Sequence, residues 1–214
     1  MNPVFTIKGV LSESWGIIKP QFWNVVSKFL LLILLAMIFS GATGKVFLLS
    51  MLVSTFFGMT LNIFALTFAS GKDFTFETLG QMLSWKKFFY YLIAILLAGL
   101  AIMFGFILLI VPGVLLALRF SLVKYIAVDM ALEPVQAIKE SARLTKGYRG
   151  KIFGFFWAML GINILGAMCF VVGLLVTVPL TTIAFALVYK KLAGKQTEQV
   201  EEVEEIIVAE VVTA

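Results

Sequence analysis

The stretch "LLIVPGVLLALRFSLVKYIAVD" (residues 108–129) decides how this chain folds. It runs apolar on both sides of a Pro-Gly pair, places an arginine six residues after the glycine, and meets its first acidic group only at Asp129. The apolar run begins well upstream, since residues 88–118 carry no charge at all. As a helix at about 1.5 Å per residue, that run would measure roughly 46 Å, against a hydrocarbon core of about 30 Å. One span cannot absorb it. Proline lacks an amide donor and glycine accepts a tight turn, so Pro112 and Gly113 are expected at an apex between two spans, roughly 88–111 and 114–130. Arg119 then falls inside the second of these.

The same pattern recurs along the chain. Residues 46–71 and 152–189 are also free of charge, and the second run is long enough to divide, with Gly173 and Pro179 bracketing the expected turn. Spans at roughly 25–41 and 46–70 complete a set of six. Hydrophobic residues make up 61% of the chain, charged residues 14%, and the mean hydropathy is +1.05. Soluble domains are about 45–50% apolar and about 25% charged, so this composition belongs in a bilayer. Barrel strands would alternate polar and apolar residues, which these runs do not. The expected fold is therefore all-α: a polytopic membrane domain over residues 1–195, with six transmembrane helices in three hairpins. Residues 196–214 form an acidic tail, expected to be mobile. With no His and one Cys, Cys169, neither an intrachain disulfide nor a Cys/His metal site can form.

Charge sets the direction of threading. The tail holds six Glu and no basic residue, so the chain up to Lys195 carries 17 basic against 6 acidic residues. With a cytoplasmic N-terminus, the inner segments collect 15 of the 17 basic residues, leaving Lys45 outside and Arg119 within a span. This is the split expected of six helices with both ends inside. It makes a nucleic-acid partner unexpected despite the basic balance. A Lys-bearing segment precedes the first apolar run, but 28 residues is long for a cleaved leader, and the segment is expected to be retained.

The segments "VLSESWGIIKPQFWNVV" (10–26) and "AIKESARLTKGYRGKIF" (137–153) align without gaps at an offset of 127, matching Glu13 and Ser14 with Glu140 and Ser141. A looser copy, "FTFETLGQMLSWKKFFYYL" (74–92), precedes the central pair of spans, so the chain reads as three parallel repeats. Each lead-in has amphipathic spacing. Leu11, Trp15, Ile18 and Phe22 share a face opposite Ser12, Glu13 and Lys19; Val135, Ile138 and Ala142 form a stripe beside Lys139, Glu140, Arg143 and Lys146. Such helices suit the headgroup layer on the cytoplasmic side, with aromatic residues at interfacial depth and basic residues drawn to anionic lipid.

The segment "VPGVLLALRFSLVKYIAVDMALEPVQAIKESARLTKGYRGKIFGFF" (111–156) resembles a six-helix bacterial membrane group that includes the membrane domain attached to some glycerophosphoryl diester phosphodiesterases. That group has a Pro-Gly turn, a span carrying an Arg, an acidic residue near its inner end, and then an "AL..S..LTKG"-like helix. Pro112, Gly113, Arg119, Asp129, Ala137, Ser141, Leu144, Thr145, Lys146 and Gly147 occupy those places here. The resemblance implies the six-helix fold and a bacterial inner membrane. It does not bring the phosphodiesterase activity, which would belong to a separate soluble barrel.

The candidate functional polar residues are Arg119, Asp129, Asn62, Asn163, Ser141 and Lys146, with Pro112 and Gly113 at the turn. An ionisable group within a span is a functional candidate, although a guanidinium can also snorkel to headgroups. Asp129 is expected to cap the next helix or to pair with a Lys. Asn62 and Asn163 either line a polar path or hold helices together. No nucleophile–base pair, phosphate loop or paired acids can be read from the chain, so neither an enzyme nor a cofactor is expected. Two roles remain. The first is a non-enzymatic, lipid-contacting scaffold or accessory subunit, whose partners are membrane lipids, anionic ones included, and a membrane protein or a second copy. The alternative is a small transporter or channel for a lipid or amphiphile, which requires Arg119, Asn62 and Asn163 to converge on one cavity.

Overall fold

The computed structural model describes the backbone of residues 4–43, 47–168 and 170–213, and their side chains except at 41–43, 47, 48, 76, 170–172 and 196–213. Lys45 and Cys169 lie outside the described residues. Ten α-helices follow one another: α1 (Ile7–Ile18), α2 (Phe22–Thr43), α3 (Phe47–Ala69), α4 (Phe76–Met82), α5 (Trp85–Leu108), α6 (Ile110–Arg119), α7 (Val123–Asp129), α8 (Pro134–Leu144), α9 (Arg149–Met168) and α10 (Phe170–Thr213). There is no strand among the described residues. Six segments are long and apolar enough to cross a membrane: Ile7–Ser40, Leu49–Ala69, Trp85–Leu108, Ile110–Asp129, Arg149–Met168 and Gly173–Lys195. The helical backbone of α10 continues through the acidic tail to Thr213.

The helix starts repeat at about half the 127-residue offset of the lead-in segments. α2, α5 and α9 begin at residues 22, 85 and 149, steps of 63 and 64. α3, α6 and α10 begin at 47, 110 and 170, steps of 63 and 60. Within each unit the paired long helices pack together: α2 on α3, α5 on α6, α9 on α10. Each short helix then packs on the returning helix of the unit before it, α4 on α3, α8 on α7, and α1 on α10. The first two contacts follow chain continuity. The third joins the two ends of the sequence and is reinforced by a 2.8 Å ion pair between Glu13 and Lys191.

The core sits in the same part of every unit. Met59, Ile63, Phe64 and Phe68 of α3 are buried, as are Tyr125, Ile126 and Val128 of α7 and Ile183, Leu187, Tyr189 and Leu192 of α10. At the far ends the helices are exposed, Ile107 to Val111 being 69–75% accessible. Water would penalise such a surface, whereas hydrocarbon is as apolar as the side chains themselves.

The α5–α6 reversal lies three residues earlier than Pro112 and Gly113 would place it. Leu109, in an extended conformation, is the single linking residue. Its amide donates to the Gly105 carbonyl and its own carbonyl accepts from Gly113, at 3.1 and 3.2 Å. Pro112 instead occupies the third position of α6, in a first turn where a missing N–H leaves no bond unmade. Gly113 serves close packing: a Cβ placed at Gly105 would come within 3.0 Å of its Cα. Gly173 and Pro179 likewise do not bracket a turn. Both lie within α10, which begins at Phe170.

The fourth span is not one helix. α6 stops at Arg119, residues 120–122 form turns, and α7 resumes at Val123.

Candidate functional site

The break between α6 and α7 would leave buried carbonyls without donors, which is costly. α8 supplies the missing partners. The Ser141 hydroxyl donates to the Arg119 carbonyl at 2.9 Å, while the Thr145 hydroxyl, 2.8 Å from the Ser141 carbonyl of its own helix, also lies 3.3 Å from the Arg119 oxygen. A third hydroxyl, that of Ser121, donates to the Leu118 carbonyl at 2.9 Å. Ser141 and Thr145 are both fully buried. α8 is therefore clamped along α7, with Ala137, Ser141 and Leu144 facing inward. The stripe expected from spacing, Val135, Ile138 and Ala142, lies to one side of that face, and Val135 is 53% exposed.

α1 shows the same rotation. Val10, Ser14 and Ile18 are buried, while Leu11 is half-buried and Trp15 is exposed. At an offset of 127, Val10, Ser14 and Ile18 correspond to Ala137, Ser141 and Thr145, so both helices turn one register toward the protein. Leu11 and Trp15 correspond to Ile138 and Ala142, about a quarter turn away at 3.6 residues per turn. The two serines differ in one respect: Ser14 donates to the Val10 carbonyl of its own helix at 2.8 Å. Spacing weighted by hydropathy marks an apolar stripe and does not single out the neighbouring face that the serines close against the protein.

A second polar cluster lies in the core. Asn62, Tyr125 and Tyr189 occupy equivalent positions in the three units, 63 and 64 residues apart. Tyr125 and Tyr189 stack with ring centroids 6.0 Å apart and 16° between planes. The Tyr189 hydroxyl donates to Asp129 Oδ2 at 2.7 Å. Asp129 therefore neither caps α8, whose N-cap is Glu133, nor pairs with a lysine; a tyrosine of another unit holds it. Asn62 donates to the Tyr91 hydroxyl and to the Gly58 carbonyl, both at 2.8 Å. Lys124 is half-buried, its Nζ 4.9 Å from the Tyr125 ring centroid and 5.8 Å from that of Phe185. The tyrosines were missed in the sequence because aromatic residues are plentiful at membrane interfaces. The 63-residue step through Asn62 was the available signal.

Asn163 lies elsewhere, donating to Thr181 Oγ1 at 3.3 Å between α9 and α10, with its Oδ1 buried and unpartnered. The Thr181 and Thr182 hydroxyls bond the Val178 carbonyl beside Pro179. Arg119 projects from the end of α6 with an exposed side chain, its guanidinium 6.0 Å from the Phe120 ring centroid. Asn62, Asn163 and Arg119 thus belong to three different helix contacts, and the single cavity required for a transport path is not formed by them. A groove of about 560 Å³ opens between α2 and α3 and is lined mainly by Ile33, Met37, Phe57 and Leu61.

Basic groups gather where α8 ends. Lys146 and Gly147 are exposed, Arg149 is half-buried, and Gly147 takes φ +84°, a conformation natural only to glycine. Arg143 is held by Glu140 through two bonds of 2.8 and 2.9 Å, which raise its pKa further above the usual arginine range. Among the described residues, no group of three Asp, Glu, Cys or His side chains could hold a metal. No protein-family model, no curated protein and no solved structure matches the chain.

Proposed function

We propose that this multi-pass membrane protein is a non-enzymatic, lipid-contacting scaffold or accessory subunit of a bacterial inner membrane. The observation that carries this reading is the build of α1 and α8. Each buries one face against the bundle and leaves an apolar flank exposed beside basic residues: Trp15 with Lys8 and Lys19 on α1, Val135 with Lys139 on α8. An amphipathic helix of that kind, fixed to a membrane domain, presents cations to headgroups and apolar side chains to the acyl boundary. Each such cation contributes about 1 kcal/mol near an anionic surface. The polar residues of the spans support the same reading, because Asn62, Asn163 and Asp129 spend their bonds on neighbouring helices. So does the resemblance of residues 111–156 to the six-helix bacterial membrane group.

Lipid carried through purification in a mild detergent is expected to be enriched in anionic species relative to the source membrane. A lipid ratio equal to that of the bulk membrane would overturn the reading. The three-hairpin threading with both ends in the cytoplasm has a separate check. Reporter tags placed after Gly71 and after Lys195 are expected on the same side, and tags found on opposite sides would end it.

A further inference from the structure

We propose that the junction of the α6 break, the end of α8 and the start of α9 binds the phosphate of an anionic lipid headgroup, through Arg119, Lys146 and Arg149. This rests on the lipid-contacting role and gives it a place. The Arg119 carbonyl is tied to Ser141 and Thr145, so the end of α6 is fixed beside the turn that carries Lys146 and leads into Arg149. Three cations therefore issue from one junction.

The acids that could neutralise them are already engaged. Glu140 is bonded to Arg143, and Asp129 accepts from Tyr189. Arg119 has no ion pair among the described residues, although it is exposed within an apolar span next to Leu115, itself 48% exposed. A guanidinium there must find an anion or water, and a phosphate offers the matching geometry for its planar donors. Arg149 is half-buried, with its Nε enclosed by the protein and the rest of the side chain partly exposed at the junction. It also opens α9, whose first amides have no partner within the helix and whose dipole favours an anion. Lys151 lies 5.8 Å from the Tyr148 ring centroid, a contact like that of Arg119 with Phe120 at 6.0 Å, and neither ring supplies an anion.

The test is native mass spectrometry of the full chain titrated separately with phosphatidylglycerol, phosphatidylcholine and inorganic phosphate. The wild-type chain is expected to prefer phosphatidylglycerol. Arg119→Gln, Lys146→Gln and Arg149→Gln are each expected to weaken that binding about fivefold, the weight of one surface cation, and Lys72→Gln to leave it unchanged. Lys146 is exposed and outside the helix contacts, so its variant reports even if substitution at Arg119 impairs folding. If all three variants bind phosphatidylglycerol like the wild type while anionic lipid still copurifies, this site is refuted and the lipid-contacting role stands. If the wild type shows no preference for phosphatidylglycerol over phosphatidylcholine, both fail. Retention of inorganic phosphate that displaces phosphatidylglycerol would assign the site to a soluble anion and overturn the lipid assignment.

Discussion

Gly173→Ala is expected to destabilise the protein by about 1–3 kcal/mol, the usual cost of overpacking a close contact. A Cβ at this position would stand 2.1 Å from the carbonyl oxygen of Gly166 and 2.8 Å from its carbonyl carbon. Both are backbone atoms, so no rotamer change relieves the clash, and α9 and α10 must move apart. A Cβ at Gly166 would meet the Thr177 side chain instead, its hydroxyl at 2.4 Å. Gly161, one and a half turns earlier in α9, has open space around it. Gly161→Ala is therefore expected to stabilise, by up to about 1 kcal/mol, through helix propensity alone. Denaturant unfolding of the detergent-solubilised protein reads both. Equal responses to the two substitutions would mean that the crossing at Gly166 and Gly173 is not as close as described.

The second large effect is expected at the break in the fourth span. Ser141→Ala combined with Thr145→Val removes both hydroxyls that reach the Arg119 carbonyl. Leaving a buried acceptor unmet costs about 1–3 kcal/mol, and Ser141 and Thr145 are enclosed by protein with no exposed surface. Ser14→Ala makes the informative comparison. Ser14 is as buried as Ser141 and sits at the equivalent position of the first unit, but its hydroxyl bonds only its own helix. That back-bond adds little to a carbonyl already in the helical ladder, so its loss is expected to cost under about 0.5 kcal/mol. Similar losses for the two variants would show that the hydroxyls of α8 do not hold the break.

The comparison of Ser14 with Ser141 also marks how far the sequence could be read. The offset of 127 paired the two serines correctly, and the helix starts repeat at that spacing. Alignment sees residue identity and position, however, and not the carbonyl that a hydroxyl finds. Arg119 was picked out as a charge within a span. Its backbone oxygen turned out to matter as well, because Ser141 and Thr145, the hydroxyl residues of the "S..LTKG"-like segment, converge on it. Asn62 and Asp129 were visible as polar residues in apolar runs. Their partners, Tyr91 and Tyr189, lie 29 and 60 residues away, and nothing local announces them.

The sequence by itself determined that this chain is helical, that six segments suit a bilayer, and that a lead-in segment recurs at an offset of 127. These follow from sums over neighbouring residues: an apolar run of given length has one low-energy environment, and its backbone can be satisfied only within a helix. Tertiary structure alone decided where the fourth span breaks, which faces of α1 and α8 turn inward, and why the reversal before α6 falls at Leu109 rather than at the Pro-Gly pair. The first two depend on a donor, an acceptor or a gap provided by a distant part of the chain, whereas the reversal turns on how closely Gly105 and Gly113 pack across it. A helix can stop inside an apolar run only if another helix brings the hydrogen bonds that the stop leaves open.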